Sequence, residues 1–179
     1  MQYLIKFSLK GTRVWRLVAL EGRADLAHTA KLICEAFPWQ GLKCAFLADG
    51  KIFGAGRGGD FAQGEQLLAL DDLLKNPPAS LTLTCEDSLG GRAVLDAVLL
   101  RSEEKLSCLV PSCIVGAGTV PEDGMLDPER IAAWADDDAH LTLDLKGATK
   151  RMRAWGSVRA DISKALIQSG ADPLNFKQK

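Results

Sequence analysis

Apolar and polar side chains alternate from the first residues of this chain, with the period of a β-strand. The apolar positions of the first run are Tyr3, Ile5, Phe7 and Leu9. A turn at Gly11-Thr12 separates this run from a second one, residues 14–20, which is also rich in residues that favour strands. Two such runs predict a β-hairpin. Because a hairpin has an apolar face that another layer must cover, the chain is limited to folds that supply such a layer.

A helix after the hairpin supplies that layer. Asp25 is a suitable N-cap for it, and Pro38 ends it. The apolar stripe between them has helical spacing and consists of Leu26, Ala30, Ile33 and Phe37. Further strand patterns follow at residues 43–47, 51–53, 81–85 and 92–100. This order predicts an α+β fold, a β-grasp-like mixed sheet packed by one N-terminal helix, with C-terminal helices.

The second half of the chain is less regular. Asp127-Pro128 predicts a helix start, because the aspartate accepts a first-turn N–H and proline has none to lose there. Residues 140–145 alternate and predict a short strand, and residues 157–169 predict a helix. Residues 111–116 and 121–124 are rich in proline, glycine and polar side chains, so we expect a shaped surface loop there, the first place to look for a function.

Composition and cysteine spacing narrow the class of protein. No apolar run among the 179 residues approaches the roughly 20 that a membrane-spanning helix needs, and the first residues lack the order of a signal peptide. The cysteines are odd in number and never spaced as C-x-x-C, which argues against a disulfide framework and a zinc ribbon. They are Cys34, Cys44, Cys85, Cys108 and Cys113. We therefore expect a cytoplasmic protein without a membrane partner.

The charge of the chain is unevenly distributed. Residues 146–179 contain eight Lys or Arg and two Asp, a charge of +6, which leaves −7 for residues 1–145 because the whole chain carries −1. We therefore separate an α+β domain, 1–145, from a basic, helical segment, 146–179. The segment is either a solvated helix that packs on the acidic body or a binding site for nucleic acid. Its candidate nucleic-acid contacts are Lys150, Arg151, Arg153, Trp155 and Arg159.

Four other residues are candidates for an interaction surface: Arg16, Cys113, Glu122 and Asp123. If Trp15 fills the core, Arg16 lies on the other face of its strand and can pair with a carboxylate such as Asp123. Cys113 is either a reactive thiol or metal ligand, or a half-buried cysteine packed under a proline-braced turn. We favour the packed cysteine.

The sequence indicates no catalytic, cofactor or metal site. His28 and His140 lie in different elements with no carboxylate or cysteine at ligand spacing, so a zinc site is not expected. The glycine-rich run 54–59 lacks the Lys-Ser/Thr of a phosphate-binding loop. No G-x-S-x-G motif is present to carry a serine nucleophile.

Six short segments follow one another in a recognisable order: Tyr3-Leu4-Ile5-Lys6, Val14-Trp15-Arg16, Ala36-Phe37-Pro38-Trp39, Leu70-Asp71-Asp72-Leu73-Leu74, Pro111-Ser112-Cys113 with Gly116, and Pro121-Glu122-Asp123. In this order the chain resembles the plasmid pRiA4b ORF-3-like family over about residues 2–135. The resemblance implies an α+β protein of plasmids, phages and other mobile elements, in some cases a transposon passenger, with no established activity.

The chain departs from that family pattern where the family has histidines. Leu42-Lys43-Cys44-Ala45-Phe46 stands in place of H-L-H-x-F, and residues 87–95 keep at best an Asp and a Gly of Y-D-F-G-D-x-W-x-H. Together with the resemblance, these departures imply a non-enzymatic, mobile-element-type binding module without a cofactor, whose partner is a macromolecule, a protein first and nucleic acid second. A metal-dependent enzyme with a degenerate site is a further alternative.

Overall fold

The structure is a computed structural model and describes residues 1–54 and 68–155. The strands are β1 (Gln2–Leu9), β2 (Trp15–Glu21), β3 (Lys43–Ala48), β4 (Lys51–Gly54), β5 (Leu81–Glu86), β6 (Arg92–Glu103) and β7 (Ser112–Ala117). The helices are α1 (Leu26–Ala36), α2 (Leu70–Leu74), α3 (Pro128–Asp136) and α4, which covers residues 145–155 of the described chain. A single 3₁₀ turn, Asp138–His140, lies between α3 and α4.

The strands form one seven-stranded sheet in the order β4-β3-β5-β6-β1-β2-β7. The N-terminal hairpin is confirmed as the β1–β2 pair, and β3–β4 forms the second hairpin. The α+β class is confirmed. The sheet differs from the expected mixed one, since every strand pairing among the described residues is antiparallel.

One hydrophobic core lies between the sheet and the helices. The predicted inward residues of β1 are all buried, and so are the residues of α1 that face them. α3 contributes Ile131 and Ala135 to the same core, and α4 contributes Ala148 and Met152. On the opposite face of the sheet, Val98 and Val115 are exposed. The helices therefore cover one face, and α4 is part of that layer.

Both predicted helix caps are present. The Asp25 side chain accepts a hydrogen bond from His28 N, and the Asp127 side chain accepts from Glu129 N and Arg130 N. Pro128 occupies the first helical position of α3, as the sequence predicts. These caps satisfy backbone N–H groups that have no partner within the helix.

We expect Asp25→Ala and Asp127→Ala each to lower the free energy of unfolding by about 1 kcal/mol, because each change leaves first-turn N–H groups without an acceptor. Urea unfolding measures this loss. The Asp→Asn variants keep an acceptor oxygen at the same place and should stay within about 0.5 kcal/mol of the unaltered protein. If Asn and Ala variants lose the same amount, the cap hydrogen bond is not what stabilises the helix start.

Two predicted elements are wrong. Residues 112–117 are not a loop but the edge strand β7, because their backbone pairs with β2 from Trp15↔Ala117 to Ala19↔Ser112. Residues 140–145 are not a strand. The carbonyl oxygens of His140 and Leu141 accept from the Thr119 and Gly118 backbone, and the Asp144 side chain accepts from Gly147 N at the start of α4. The alternating leucines do not form a strand, because the Asp144 cap that lies between two of them starts a helix instead.

The predicted boundary at residue 145 falls where α4 begins. The described part of the basic segment, residues 146–155, is helical and packs on the body. The predicted helix 157–169 lies outside the described residues, as does most of the glycine-rich run 54–59. Within the described ranges, no helix has the length and apolar character that crossing a membrane requires.

Candidate functional site

Thr149 of α4 binds the backbone at the edge of the sheet. The Thr149 hydroxyl accepts from Cys113 N at 3.2 Å and donates to Cys113 O at 2.9 Å. Both backbone groups of an edge-strand residue are therefore satisfied by a single side chain, as a neighbouring strand would satisfy them. This contact closes part of an edge that would otherwise have unpaired backbone groups.

Three further contacts fix the rotation of α4. Ala148 and Met152 are fully buried in the core. Arg151 Nε donates to Glu35 O, in the last turn of α1, at 3.0 Å. On the other side, Arg153 Nη2 donates to Ser112 Oγ at 2.8 Å. The helix is held from two directions, so the α4 side chains between these contacts all point to one place on the surface.

That place is a groove of about 780 Å³ between α4 and the segment that leads into β7. Lys146, Lys150 and Arg153 line it from the helix, at the i, i+4 and i+7 positions of one helical face. The apolar residues of the lining are Leu109, Ile114, Leu145 and Ala154, and Cys108, Ser112, Cys113 and Thr149 complete it.

The groove is basic as well as apolar. Its lining among the described residues contains three cations and no carboxylate. Within the same part of the chain, Lys146 and Lys150 have no ion-pair partner. Leu109 on the opposite wall is 69% exposed. The groove therefore offers apolar contact and a net positive charge to the same occupant.

A second cluster lies in the core, where Cys34, Cys44 and Cys85 meet. Cys44 on β3 and Cys85 on β5 are directly opposite each other across the strand pair, and Cys34 reaches them from α1. The three Sγ–Sγ distances are 3.6 Å for 34–44, 3.7 Å for 44–85 and 3.9 Å for 34–85. All three residues are buried, and each could offer one sulfur to a metal ion.

Because the three thiols lie so close together, their pKa values differ. Hydrogen bonds with Cys34 and then Cys85 lower the pKa of Cys44 to about 4. The pKa of Cys34 is raised by its hydrogen bond with Cys44, and that of Cys85 by hydrogen bonds with Cys34 and Cys44, with burial acting in the same direction for both. The three thiols therefore titrate as one coupled set, in which Cys44 is the most acidic member.

The structure places Arg16 in the core, and its prediction as a surface residue is wrong. Its side chain has no solvent exposure, and its guanidinium donates to three backbone carbonyls: Nε to Ala36 O at 3.1 Å, and Nη1 to Trp15 O and Ala117 O at 2.8 Å each. Burial lowers the pKa of Arg16 to about 10, so it stays charged at neutral pH. Trp15 lies on the opposite face, where the Lys6 ammonium sits over its ring.

The expected pair of Arg16 with Asp123 does not form. Asp123 makes a salt bridge with Arg130 at the start of α3, which lowers the pKa of its carboxyl group. Glu122 and Asp123 are exposed, whereas Cys113 is 3% exposed and its pKa is raised by burial. The four predicted surface residues therefore do not form one surface, although Cys113 lines the groove.

The predicted nucleic-acid contacts have different roles. Lys150 and Arg153 line the groove, and Arg151 is directed to the last turn of α1. The Trp155 ring lies beneath the Lys31 ammonium, with 5.0 Å from Nζ to the ring centroid. Arg159 lies outside the described residues.

Sequence reasoning missed the wall residues Lys146, Leu109 and Leu145 and the thiol cluster. A basic face at i, i+4 and i+7 is visible in the sequence, and it could have found Lys146 once the helix was placed at residues 145–155. No local signal could have found the cluster, because residues 44 and 85 are 41 positions apart.

Comparison with known proteins supports the fold. No protein-family model matches the chain, and no curated protein matches it. The solved structure of MM3350, a protein of unknown function from Methanosarcina mazei Go1, is similar with a TM-score of 0.58 and 20% sequence identity. The match covers 81% of this chain and 96% of that one. At this identity the similarity shows the fold alone, and the family inferred from the sequence stays a prediction.

Proposed function

We propose that this protein is a non-enzymatic binding module, and that the groove between α4 and β7 holds an acidic, partly apolar segment of a partner protein. The observation that carries the proposal is the lining of the groove. Lys146, Lys150 and Arg153 face the same space as Leu109, Ile114 and Leu145. Carboxylates of a peptide would pair with the cations while its aliphatic side chains cover the exposed leucines.

A peptide fits this lining better than a nucleic acid does. Single-stranded nucleic acids bind by stacking bases on aromatic rings, and the described lining of the groove contains no aromatic residue. Trp155 is not part of the lining, and Lys31 covers one face of its ring. Arg151 is also engaged with Glu35 O. The phosphate contacts of a nucleic-acid site would be reduced to Lys146, Lys150 and Arg153.

Nucleic-acid binding through the basic segment is the second candidate. What favours it is that Lys150 and Arg153 lie on one exposed face of α4, with Lys146 one turn before Lys150. Such a site would make contacts with phosphates, so its affinity would fall steeply as salt is added.

The mobile-element setting is also part of the proposal, and it rests on the resemblance of the sequence. It predicts that the neighbouring genes encode plasmid, phage or transposon functions. Sequencing the region around this gene tests the setting independently of the groove, and a location among housekeeping genes of a chromosome would contradict it.

The groove is tested by charge reversal. A displayed library of random peptides is selected on the purified protein and on the variant Lys146→Glu/Lys150→Glu. We expect the unaltered protein to enrich peptides that combine Asp or Glu with aliphatic residues, and the variant to bind the best of them at least about tenfold more weakly, a loss of about 1.4 kcal/mol. Fluorescence anisotropy with the labelled peptide measures the affinity.

A matched control has the same change of charge elsewhere. Lys43→Glu/Lys75→Glu alters two exposed lysines that do not line the groove, and it should leave peptide binding unchanged. Selection that yields no acidic peptides, or equal weakening in both variants, would contradict the proposed groove. A single-stranded oligonucleotide that binds more tightly than the peptides, with a steep salt dependence, would favour the second candidate.

A further inference from the structure

The sulfur atoms of the thiol cluster, Cys34, Cys44 and Cys85, form an almost equilateral triangle with edges of 3.6, 3.7 and 3.9 Å. A tetrahedral ion with metal–sulfur bonds of about 2.3 Å spaces its sulfur ligands about 3.8 Å apart. The three sulfurs are therefore at the spacing that thiolates adopt around one ion. We propose that the thiol cluster binds a single thiophilic metal ion with a filled d shell, zinc(II) or copper(I), with all three cysteines as ligands.

Rigid elements hold this triangle before any ion arrives. Cys44 and Cys85 are opposite each other in the β3–β5 ladder, whose register runs without a break from Lys43↔Glu86 to Ala48↔Leu81. Cys34 lies in the last turn of α1, whose start is capped by Asp25. Ligands on a strand pair and a packed helix need little rearrangement to bind, which favours affinity.

A bound ion would supply the positive charge that ionised thiols need in this place. Three buried thiolates cannot remain ionised together without a positive partner, because burial of like charges is costly. A bound ion would neutralise the cluster directly, and each thiol would release its proton to solvent as it binds.

The same three ligands suit either ion. Zinc(II) completes four-coordination with a fourth ligand, and one oxygen near the cluster is the Leu42 carbonyl, 4.0 Å from Cys44 Sγ. Copper(I) is a soft ion that thiolates alone can hold. In either case the ion would tie α1 to β3 and β5, a structural role, because the cluster is buried and leaves no position for a substrate.

Spectroscopic titration tests the site in the full-length protein. The reduced protein, freed of metal with a chelator, is titrated with cobalt(II), which gives an intense thiolate-to-cobalt charge-transfer absorption when sulfur ligands bind it. We expect this absorption to saturate at one equivalent and to be displaced by zinc(II). Competition with chromophoric chelators then gives the zinc(II) and copper(I) affinities, which show which of the two ions the site can bind. Binding should also raise the melting temperature.

Two variants separate ligation from other effects. Cys44→Ser should weaken cobalt(II) and zinc(II) binding by at least about 100-fold, beyond the 10- to 100-fold loss typical of residues that only support ligands. Cys108→Ser removes a thiol outside the cluster and should bind like the unaltered protein. Circular dichroism shows whether each variant is folded.

The metal titration of the unaltered protein tests the proposal even if Cys44→Ser fails to fold. A failure of cobalt(II), zinc(II) and copper(I) alike to bind stoichiometrically would overturn the proposal and leave the thiol cluster as packing alone. Equal loss in Cys44→Ser and Cys108→Ser would overturn it as well, because only one of these residues belongs to the triangle.

Discussion

Replacement of Arg16 by alanine is expected to lower the free energy of unfolding by about 3–5 kcal/mol. The change removes the donors that satisfy three carbonyl oxygens, those of Trp15, Ala36 and Ala117, and a buried acceptor without a partner costs about 1–3 kcal/mol. It also leaves a cavity beside the Phe37 ring, since the guanidinium carbon lies 4.8 Å from the centre of that ring. Urea unfolding of the purified variant gives the loss.

The structure around Arg16 explains why no smaller donor would replace it. Its guanidinium reaches the end of α1 on one side and the β2–β7 pair on the other. Gly116, which has no side chain, leaves the space that Arg16 occupies. A Cβ at Gly116 would lie 3.0 Å from Arg16 Cδ and 2.6 Å from Trp15 O. Arg16→Lys keeps the charge but has a single ammonium group, so we expect it to recover only part of the stability.

Arg13→Ala is the matched control for this prediction. Arg13 lies three residues earlier, is exposed, and donates to Asp136 O at the end of α3. Its loss should cost less than about 1 kcal/mol, because exposed ion pairs and hydrogen bonds contribute little. If Arg16→Ala is no more destabilising than Arg13→Ala, then the guanidinium does not hold the two layers together.

The last turn of α1 contacts the thiol cluster, helix α4 and Arg16. Cys34 supplies a sulfur to the thiol cluster, Glu35 O accepts from Arg151 of α4, and Ala36 O accepts from Arg16. Arginines are favourable at this end of a helix, because its free carbonyls carry partial negative charge. The thiol cluster, α4 and Arg16 therefore each contact one of three consecutive residues of α1.

The sequence predicts the local parts of this arrangement. The alternation of β1 and the stripe of α1 each define one buried face, and the caps Asp25 and Asp127 define the helix starts. In these cases the signal lies within one element, so no knowledge of its neighbours is needed. The predicted α+β class follows from the order of such elements.

Which face of β2 is buried could not be predicted in the same way. Both of its faces carry apolar residues, with Trp15 and Leu17 on one and Val18 and Leu20 on the other, so a period of two does not tell which faces the core. A charged Arg16 suggests the solvent face. It lies inward instead because the end of α1 and the sheet edge supply carbonyl acceptors, and both are brought to it by tertiary packing.

The thiol cluster shows a similar limit. β3 pairs with its hairpin partner β4 on one side and with β5 on the other, and β5 lies some forty residues further along the chain. Spacing along the sequence therefore argued against a metal site, while the sheet brings the sulfurs together. The predicted surface loop at residues 111–116 failed for a related reason, because a proline-flanked segment can still pair as an edge strand.

Replacement of Trp39 by alanine is expected to cost about 3–5 kcal/mol of unfolding free energy, the usual range for a buried tryptophan. The side chain is 1% exposed, its ring is stacked on Phe37 with centroids 5.1 Å apart, and Phe37 in turn lies against Arg16. The backbone N–H of Trp39 donates to Cys34 O and closes the turn that follows α1. Urea unfolding measures the loss.

Trp155→Ala removes the same side chain from an exposed position and is the control for Trp39→Ala. Its ring is 40% exposed and contacts Lys31, so we expect a loss of less than about 1 kcal/mol. Because Trp39 and Arg16 both contact Phe37, the double variant of Trp39→Ala and Arg16→Ala should lose less stability than the sum of the two single losses. Strict additivity would show that the stack of Arg16, Phe37 and Trp39 does not act as a unit.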